Sequence, residues 1–250
     1  MIDLSTPNDI LLKELYEENP KADYWHVKKG GGELKVAKQV AEYKRRRLLT
    51  GQDFIGRCTE YVSSKGNRWI IFDKVSNRPV EGITALSMKF VYYETIGSVG
   101  CFIPAWYVKR PGAPIEFGVT IFTSHFFMRY CDRLKIPFCS TQMIQEFMDA
   151  TSGLTMQPDK DKDGRDVFVF RVPKAGFAYA VSRNGDNRIL EVRTFLSDKN
   201  MSPSKLKKYK DLTKWVESAE HRKLSLVEEL IAAKIAANGY KPPTVQPYCD

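Results

Sequence analysis

Hydrophobic positions along this chain switch from helical to strand spacing and back, and each switch marks an element. Apolar residues recur at helical spacing from Asn8 to Glu18, with Ser5, Thr6 and Asn8 as caps and Pro20 just past the end, so a short helix is predicted there. Lys28 to Gly32 is a flexible break. Leu34, Ala37, Val40, Ala41 and Leu48 then recur every three to four residues, and Gly51 stands where a left-handed C-cap belongs. A second helix is predicted over Glu33 to Leu49. From Phe54 to Phe122 the pattern turns to alternation and β-branched or aromatic runs, enough for four to six strands. Tyr61-Val62 and Trp69 to Phe72 flank Lys65-Gly66-Asn67, a hairpin signal.

Helical spacing returns at Thr123, a plausible N-cap after the apolar Phe122. At 100° per residue, Phe127, Tyr130, Cys131 and Leu134 gather on one side of this helix, and His125, Arg129, Asp132 and Arg133 on the other. Ile136-Pro137 ends it, and a second helix capped by Ser140 or Thr141 runs to about Ala150, with Ile144, Phe147 and Met148 inward. Asp159 to Gly164 reads as a polar turn, since a calcium loop would need an acidic residue where Phe170 stands. Val167 to Val172, Phe177 to Ser182 and Ile189 to Leu196 are three consecutive antiparallel strands, the last two joined by Asn184-Gly185. After Ser202-Pro203 the chain is predicted helical to about Asn238, then a proline-containing tail. The simplest organisation is α+β: an antiparallel sheet core with packed helices over residues 54–197. A helical, basic N-terminal arm (1–53) and a helical, basic C-terminal arm and tail (198–250) flank it.

Composition sharpens the class. Hydrophobic content of 43% and charged content of 28%, with 14 Phe, 12 Tyr and 4 Trp, describe a globular chain. No apolar run approaches the ~18–20 residues of a membrane span, and the start lacks a signal-peptide pattern, so a cytoplasmic location and no membrane partner are expected. The five cysteines form no Cys-x-x-Cys pair and none of the three histidines lies at ligand spacing from one. Neither a metal nor a cofactor is expected. The three glycines at 30–32 lack the Gly-Lys-Ser/Thr of a phosphate loop, and no Gly-x-Ser-x-Gly or dinucleotide fingerprint occurs.

The net charge of +9 is unevenly spread. Lys28 to Arg47 holds eight basic residues against two acidic ones, and Lys199 to Lys214 holds six lysines against Asp211. Basic ends around a core suit a polyanion, nucleic acid first and RNA before DNA. Arg45, Arg46, Arg47, Lys205, Lys207 and Lys208 are the candidate contacts. Metal-independent RNA cleavage needs only a base, an acid and a cation for the phosphorane oxygens. His125 can exchange a proton near neutral pH. Arg129 and Arg133 can fork onto phosphate. The bland reading is a solvated, charge-patterned helix face. Trp69, Trp106, Tyr92 and Tyr93 could stack on bases, but such residues in strand patterns are more often core.

His-x-x-x-Arg-x-x-x-Arg on a helix leaving a strand, a second short helix, and three antiparallel strands ending in Thr194-Phe195 resemble the small ribonuclease-toxin fold of RelE and its barnase-like relatives. The resemblance covers about residues 115–197. It implies an endoribonuclease in which His125, Arg129 and Arg133 match the helix pattern and Arg193-Thr194 the end of the last strand. Thr194 joins the candidate catalytic set on that ground alone. Phe126 stands where the relatives have a small residue, and the β-rich segment before it is not part of that fold. The alternative is a non-catalytic binding or assembly protein of a phage or mobile element, its helical arms docking a protein partner.

Overall fold

A computed structural model describes residues 1–32, 38, 54–78, 82–95, 98–108, 115–136, 143–144, 147–148, 151, 156–172 and 175–219. The predicted helix over 33–49 lies outside these residues, apart from position 38. So do Arg45, Arg46, Arg47 and everything after Ala219.

Nine strands form one sheet: β1 (Phe54–Val62), β2 (Arg68–Arg78), β3 (Gly82–Thr95), β4 (Ser98–Val108), β5 (Ile115–Phe122), β6 (Met156–Lys160), β7 (Asp166–Val172), β8 (Gly176–Arg183) and β9 (Asp186–Ser197). Their spatial order is β1-β2-β3-β4-β5-β9-β8-β7-β6. Two antiparallel meanders are thus joined along one seam, where β5 and β9 run parallel, Val119 opposite Ile189 and Phe122 opposite Val192. That seam corrects the expected class. The expected α+β class, an antiparallel sheet core with packed helices and helical arms, gives way to a mainly β molecule built on a single mixed sheet, with helices as its minor part. The strand periodicity was readable. The parallel seam was not, because it pairs segments about seventy residues apart and leaves no local mark.

Local chemistry explains most strand ends. Gly66 (φ 84°) turns β1 into β2, and Asn184 (φ 50°) with Gly185 (φ 78°) turns β8 into β9, the left-handed pair that a two-residue hairpin requires. Cys101 to Ile103 and Trp106 to Val108 belong to one strand, β4, which passes through Pro104. Proline is tolerated because the β3 ladder ends at Phe102, and from Ile103 onward β4 pairs only with β5. Strand β6 escaped the sequence reading. At its end, Asp161 Oδ1 accepts from the backbone N–H groups of Asp163 and Arg165 and builds the polar turn into β7.

Each face of the sheet is covered by different helices. On the first face, α2 (Ser124–Leu134) and the helical residues around Met143, Ile144, Phe147 and Met148 pack on Ile70, Phe72, Phe90, Phe122, Phe170, Val192 and Phe195. The second face divides in two. Over its β1–β5 half lies α1 (Asn8–Lys28), on Trp69, Ile71, Val91, Phe102, Val119 and Ile121. Beyond the seam, α3 (Pro203–Lys208) and α4 (Lys210–Ala219) follow β9, and Tyr209 and Leu212 cover Val167, Val169 and Phe177. Ser202 caps α3 by accepting from Lys205 N, with Pro203 at the first helical position, as the sequence reading expected.

Candidate functional site

The α2 helix begins where β5 ends. Thr123 is extended (φ −73°, ψ 157°), and its Oγ1 accepts from Phe126 N at 3.2 Å while donating to Val192 O at 3.1 Å. One hydroxyl therefore caps the helix and ties it to β9. Below the helix, Phe126 packs edge-on against Phe122 (5.1 Å between ring centres), Phe127 (5.2 Å) and Phe147 (5.3 Å), and Tyr130 against Phe195 (5.1 Å). Phe126 is fully buried, so the apolar face is wider than the predicted Phe127/Tyr130/Cys131/Leu134 stripe. The large residue that departs from the toxin pattern is a core ring. At the far end Lys135 adopts the left-handed conformation (φ 57°) and its N–H caps Cys131 O.

This anchoring turns the polar side outward. His125, Arg129 and Asp132 are exposed and Arg133 is half-buried. Four residues of helix rise about 6 Å, so the imidazole and the two guanidinium groups form a ladder one turn apart. Asp132 pairs with Lys135 at 3.5 Å. No described residue pairs with His125 or Arg129, and Nη1 of Arg133 is buried without a partner. Burial first, and the neighbouring Arg129 charge second, push the Arg133 guanidinium below its usual value, with Asp132 opposing. The helix thus carries two guanidinium groups one turn apart, one exposed and one half-buried, with positive charge in excess of the one carboxylate, Asp132, beside them.

The other predicted site residues lie elsewhere. Thr194 pairs with Tyr179 of β8, whose ring packs on the α3–α4 side of the sheet, whereas the next residue, Phe195, faces α2. Thr194 is therefore on the face opposite His125, and the expected four-residue constellation does not converge. Arg193 is exposed and held by Glu191 at 3.1 Å. Lys205, Lys207 and Lys208 also belong to that second face. Lys205 Nζ lies 5.9 Å from the Tyr179 ring centre, and Lys208 donates to Asp159 at 2.6 Å. Tyr209 also donates to Asp159, at 2.5 Å. This carboxyl is held below its usual value: burial raises it, but the hydrogen bonds from Lys208, Tyr209 and Lys160 N and the Lys208 charge together outweigh burial. Lys208 is thereby committed within the fold.

A buried polar network missed by the sequence reading sits under α1. His26 Nδ1 is 2.6 Å from Thr59 Oγ1, and Nε2 is 3.0 Å from Asp73 Oδ1. Asp73 also accepts from Ser87 Oγ at 2.6 Å and from Gly32 N at 3.1 Å. An ionised carboxylate only accepts, so Nε2 carries the proton. Burial raises the Asp73 carboxyl, but the bonds from His26 and Ser87, the His26 charge and Gly32 N–H together hold it below the usual range. Eight residues up α1, Glu18 accepts from Trp69 Nε1 at 2.8 Å and Asn67 Nδ2 at 3.0 Å. Eight helical residues rise about 12 Å, and the four strand residues from Trp69 to Asp73 span about 13 Å. So the second half of α1 runs along β2 and is pinned at its middle and near its C-terminal end.

A hydroxyl, an imidazole and a carboxylate in series form a chain of the kind that activates a nucleophile. Access rules that out here. His26 is 1% exposed and Asp73 0%, and a methyl group on Gly31 would lie 2.2 Å from the imidazole ring. The glycines at 30–32 exist to close the chain over His26 and to bring Gly32 N to Asp73. The signal was present as period two: Asp73 continues the inward stripe Trp69, Ile71 as a charge in an apolar row.

No family model, curated protein or solved structure matches this chain. Among the described residues no cluster of three or more His, Cys, Asp and Glu side chains could hold a metal ion, and no helix is long and apolar enough to cross a membrane.

Proposed function

We propose that this protein binds nucleic acid, RNA before DNA, through the outer face of α2. One observation carries the reading: Arg129 and Arg133 stand one turn apart beside the exposed His125, and neither is in an ion pair among the described residues. Planar guanidinium groups donate N–H bonds in pairs to phosphate oxygens, and a helix whose opposite side is locked by aromatic packing holds their backbone in place. A cytoplasmic setting, where RNA is abundant, belongs to the same reading.

Cleavage asks for more than this face supplies. Proton transfer at both ends of the bond needs a second titratable group near His125. Thr194 is across the sheet, and Asp132, seven residues on, is about 10 Å further along the axis. Binding is therefore the function proposed, and the likeness to ribonuclease toxins extends to phosphate capture rather than to a two-group proton shuttle.

Fluorescence anisotropy with a labelled 20-nucleotide RNA tests it. The double variant Arg129→Glu, Arg133→Glu should weaken binding at least tenfold while its thermal unfolding stays that of the wild type. Equal affinity of the two proteins would refute the proposal. Incubation of the same RNA with wild type in EDTA should leave it intact. Cleavage that His125→Ala abolishes would replace binding by catalysis as the function.

A further inference from the structure

The C-terminal end of α1 forms a second surface, on the opposite side of the sheet from α2. Tyr24 is 70% exposed, the most exposed aromatic side chain among the described residues whose burial is given. Its neighbour Trp25 is half-buried and fixed from two sides. The indole Nε1 donates to Glu60 O at 3.1 Å, and the ring packs against Tyr61 with 6.0 Å between centres. Lys28 and Lys29, one turn later, place their ammonium groups 5.9 and 4.8 Å from the Trp25 ring centre. The end of the helix thus carries one open ring, Tyr24, and next to it in sequence one fixed ring, Trp25, whose face holds two ammonium groups.

The charge balance of this patch is one-sided. Its carboxylates are already occupied: Lys89 donates to both oxygens of Asp23 at 2.5 Å, and Arg68 to Glu60 at 2.8 Å. Lys21, Lys28 and Lys29 have no carboxylate partner among the described residues. An apolar ligand would leave three ammonium groups uncompensated, and a simple anion would make no use of the rings. A ligand with flat, apolar faces and a regular negative charge satisfies both.

We propose that this patch stacks the bases of an unpaired nucleic-acid segment, Tyr24 supplying the open face and Lys21, Lys28 and Lys29 the phosphate contacts. Unpaired bases offer π-faces that a duplex hides within its own stack, so the patch selects single strands. The inference does not rest on α2. The two surfaces lie on opposite faces of the sheet and are tested by different variants.

The full chain would be titrated with labelled 20-nucleotide poly(U) RNA and with a 20-base-pair RNA duplex. Tyr24→Ala removes an exposed ring and leaves the fold intact. It should weaken poly(U) binding roughly five- to a hundredfold, the range for losing one stacked base, and change duplex binding by less than a factor of two. Lys28→Glu with Lys29→Glu should weaken poly(U) further. Unchanged poly(U) affinity in Tyr24→Ala would overturn the inference, and so would equal losses on strand and duplex. Vesicles containing phosphatidylserine form a third arm. Vesicle binding that depends on Tyr24, without poly(U) binding that does, would also overturn it, since the patch would then be a lipid contact. Loss of poly(U) binding in the Arg129→Glu, Arg133→Glu variant with none in Tyr24→Ala would leave α2 as the sole site and refute this second one.

Discussion

The helices α1 and α2 lie on opposite faces of one sheet and are held by opposite means. Beneath α2 the contact is dry and aromatic: Phe126, Phe127 and Tyr130 interlock with Phe122, Phe147 and Phe195. Beneath α1 the aliphatic residues Leu11, Leu12, Leu15 and Ala22 share the buried side with buried charge, Glu18 at Trp69 and His26 at Asp73. Apolar packing fixes how deep a helix sits, whereas directional hydrogen bonds fix its register along a strand. A helix anchored mainly by rings can keep most of its charge on its outer side for a ligand. A helix anchored by charge spends some of it inward.

The contrast predicts a ranked set of effects. Asp73→Ala removes the carboxylate that accepts from the buried His26, from Ser87 Oγ and from Gly32 N, and should cost about 3–5 kcal/mol, the usual penalty for breaking a buried pair. Urea unfolding monitored by circular dichroism would measure it. A loss below about 1 kcal/mol would show that the network is not what pins α1. Phe126→Ala should cost a similar ~3–5 kcal/mol through the cavity it opens. Because the two sites are on opposite faces with no shared partner, the double variant should be additive within about 0.5 kcal/mol. Strong coupling would mean that the faces are one unit.

Acid should separate the two faces next. Asp73 ionises below the ordinary carboxylate value of 3.8 in the folded chain. Its contribution is therefore complete above that ordinary value and is lost as pH falls through the lower, folded value. Urea midpoints recorded from pH 6 to pH 2 should fall more steeply for the wild type than for Asp73→Asn, while Phe126→Ala keeps the wild-type slope. Parallel curves for wild type and Asp73→Asn would remove Asp73 from the acid response. The smallest effect belongs to His125→Ala, an exposed position, which should change stability by no more than about half a kcal/mol.

The same contrast explains what the sequence disclosed. Helix α2 was legible in its cap, its end and its charged side, because rings at helical spacing are a local signal. Helix α1 was legible only to Glu18. It continues to Lys28 through Pro20. Pro20 is exposed, so the hydrogen bond it cannot donate is lost on the solvent side, and the bonds of His26, Trp25 and Asp23 beyond it hold the last turns in place. Those bonds reach residues 35 to 66 positions away, beyond any sequence window. Thr194 illustrates a third limit. The slip in register between Tyr179/Ala180 of β8 and their β9 partners sets which residues face α2, and alternation alone does not locate such a bulge.

The central claim is that Arg129 and Arg133 of α2 contact phosphate. Its most direct test is the salt dependence of RNA affinity. For the wild type, log K should fall linearly with log salt, by about 0.7 per contacted phosphate on a single strand. The Arg129→Glu, Arg133→Glu variant should show a slope shallower by at least about 1.4, two contacts' worth. An identical slope in the two proteins would mean that the arginines of α2 touch no phosphate.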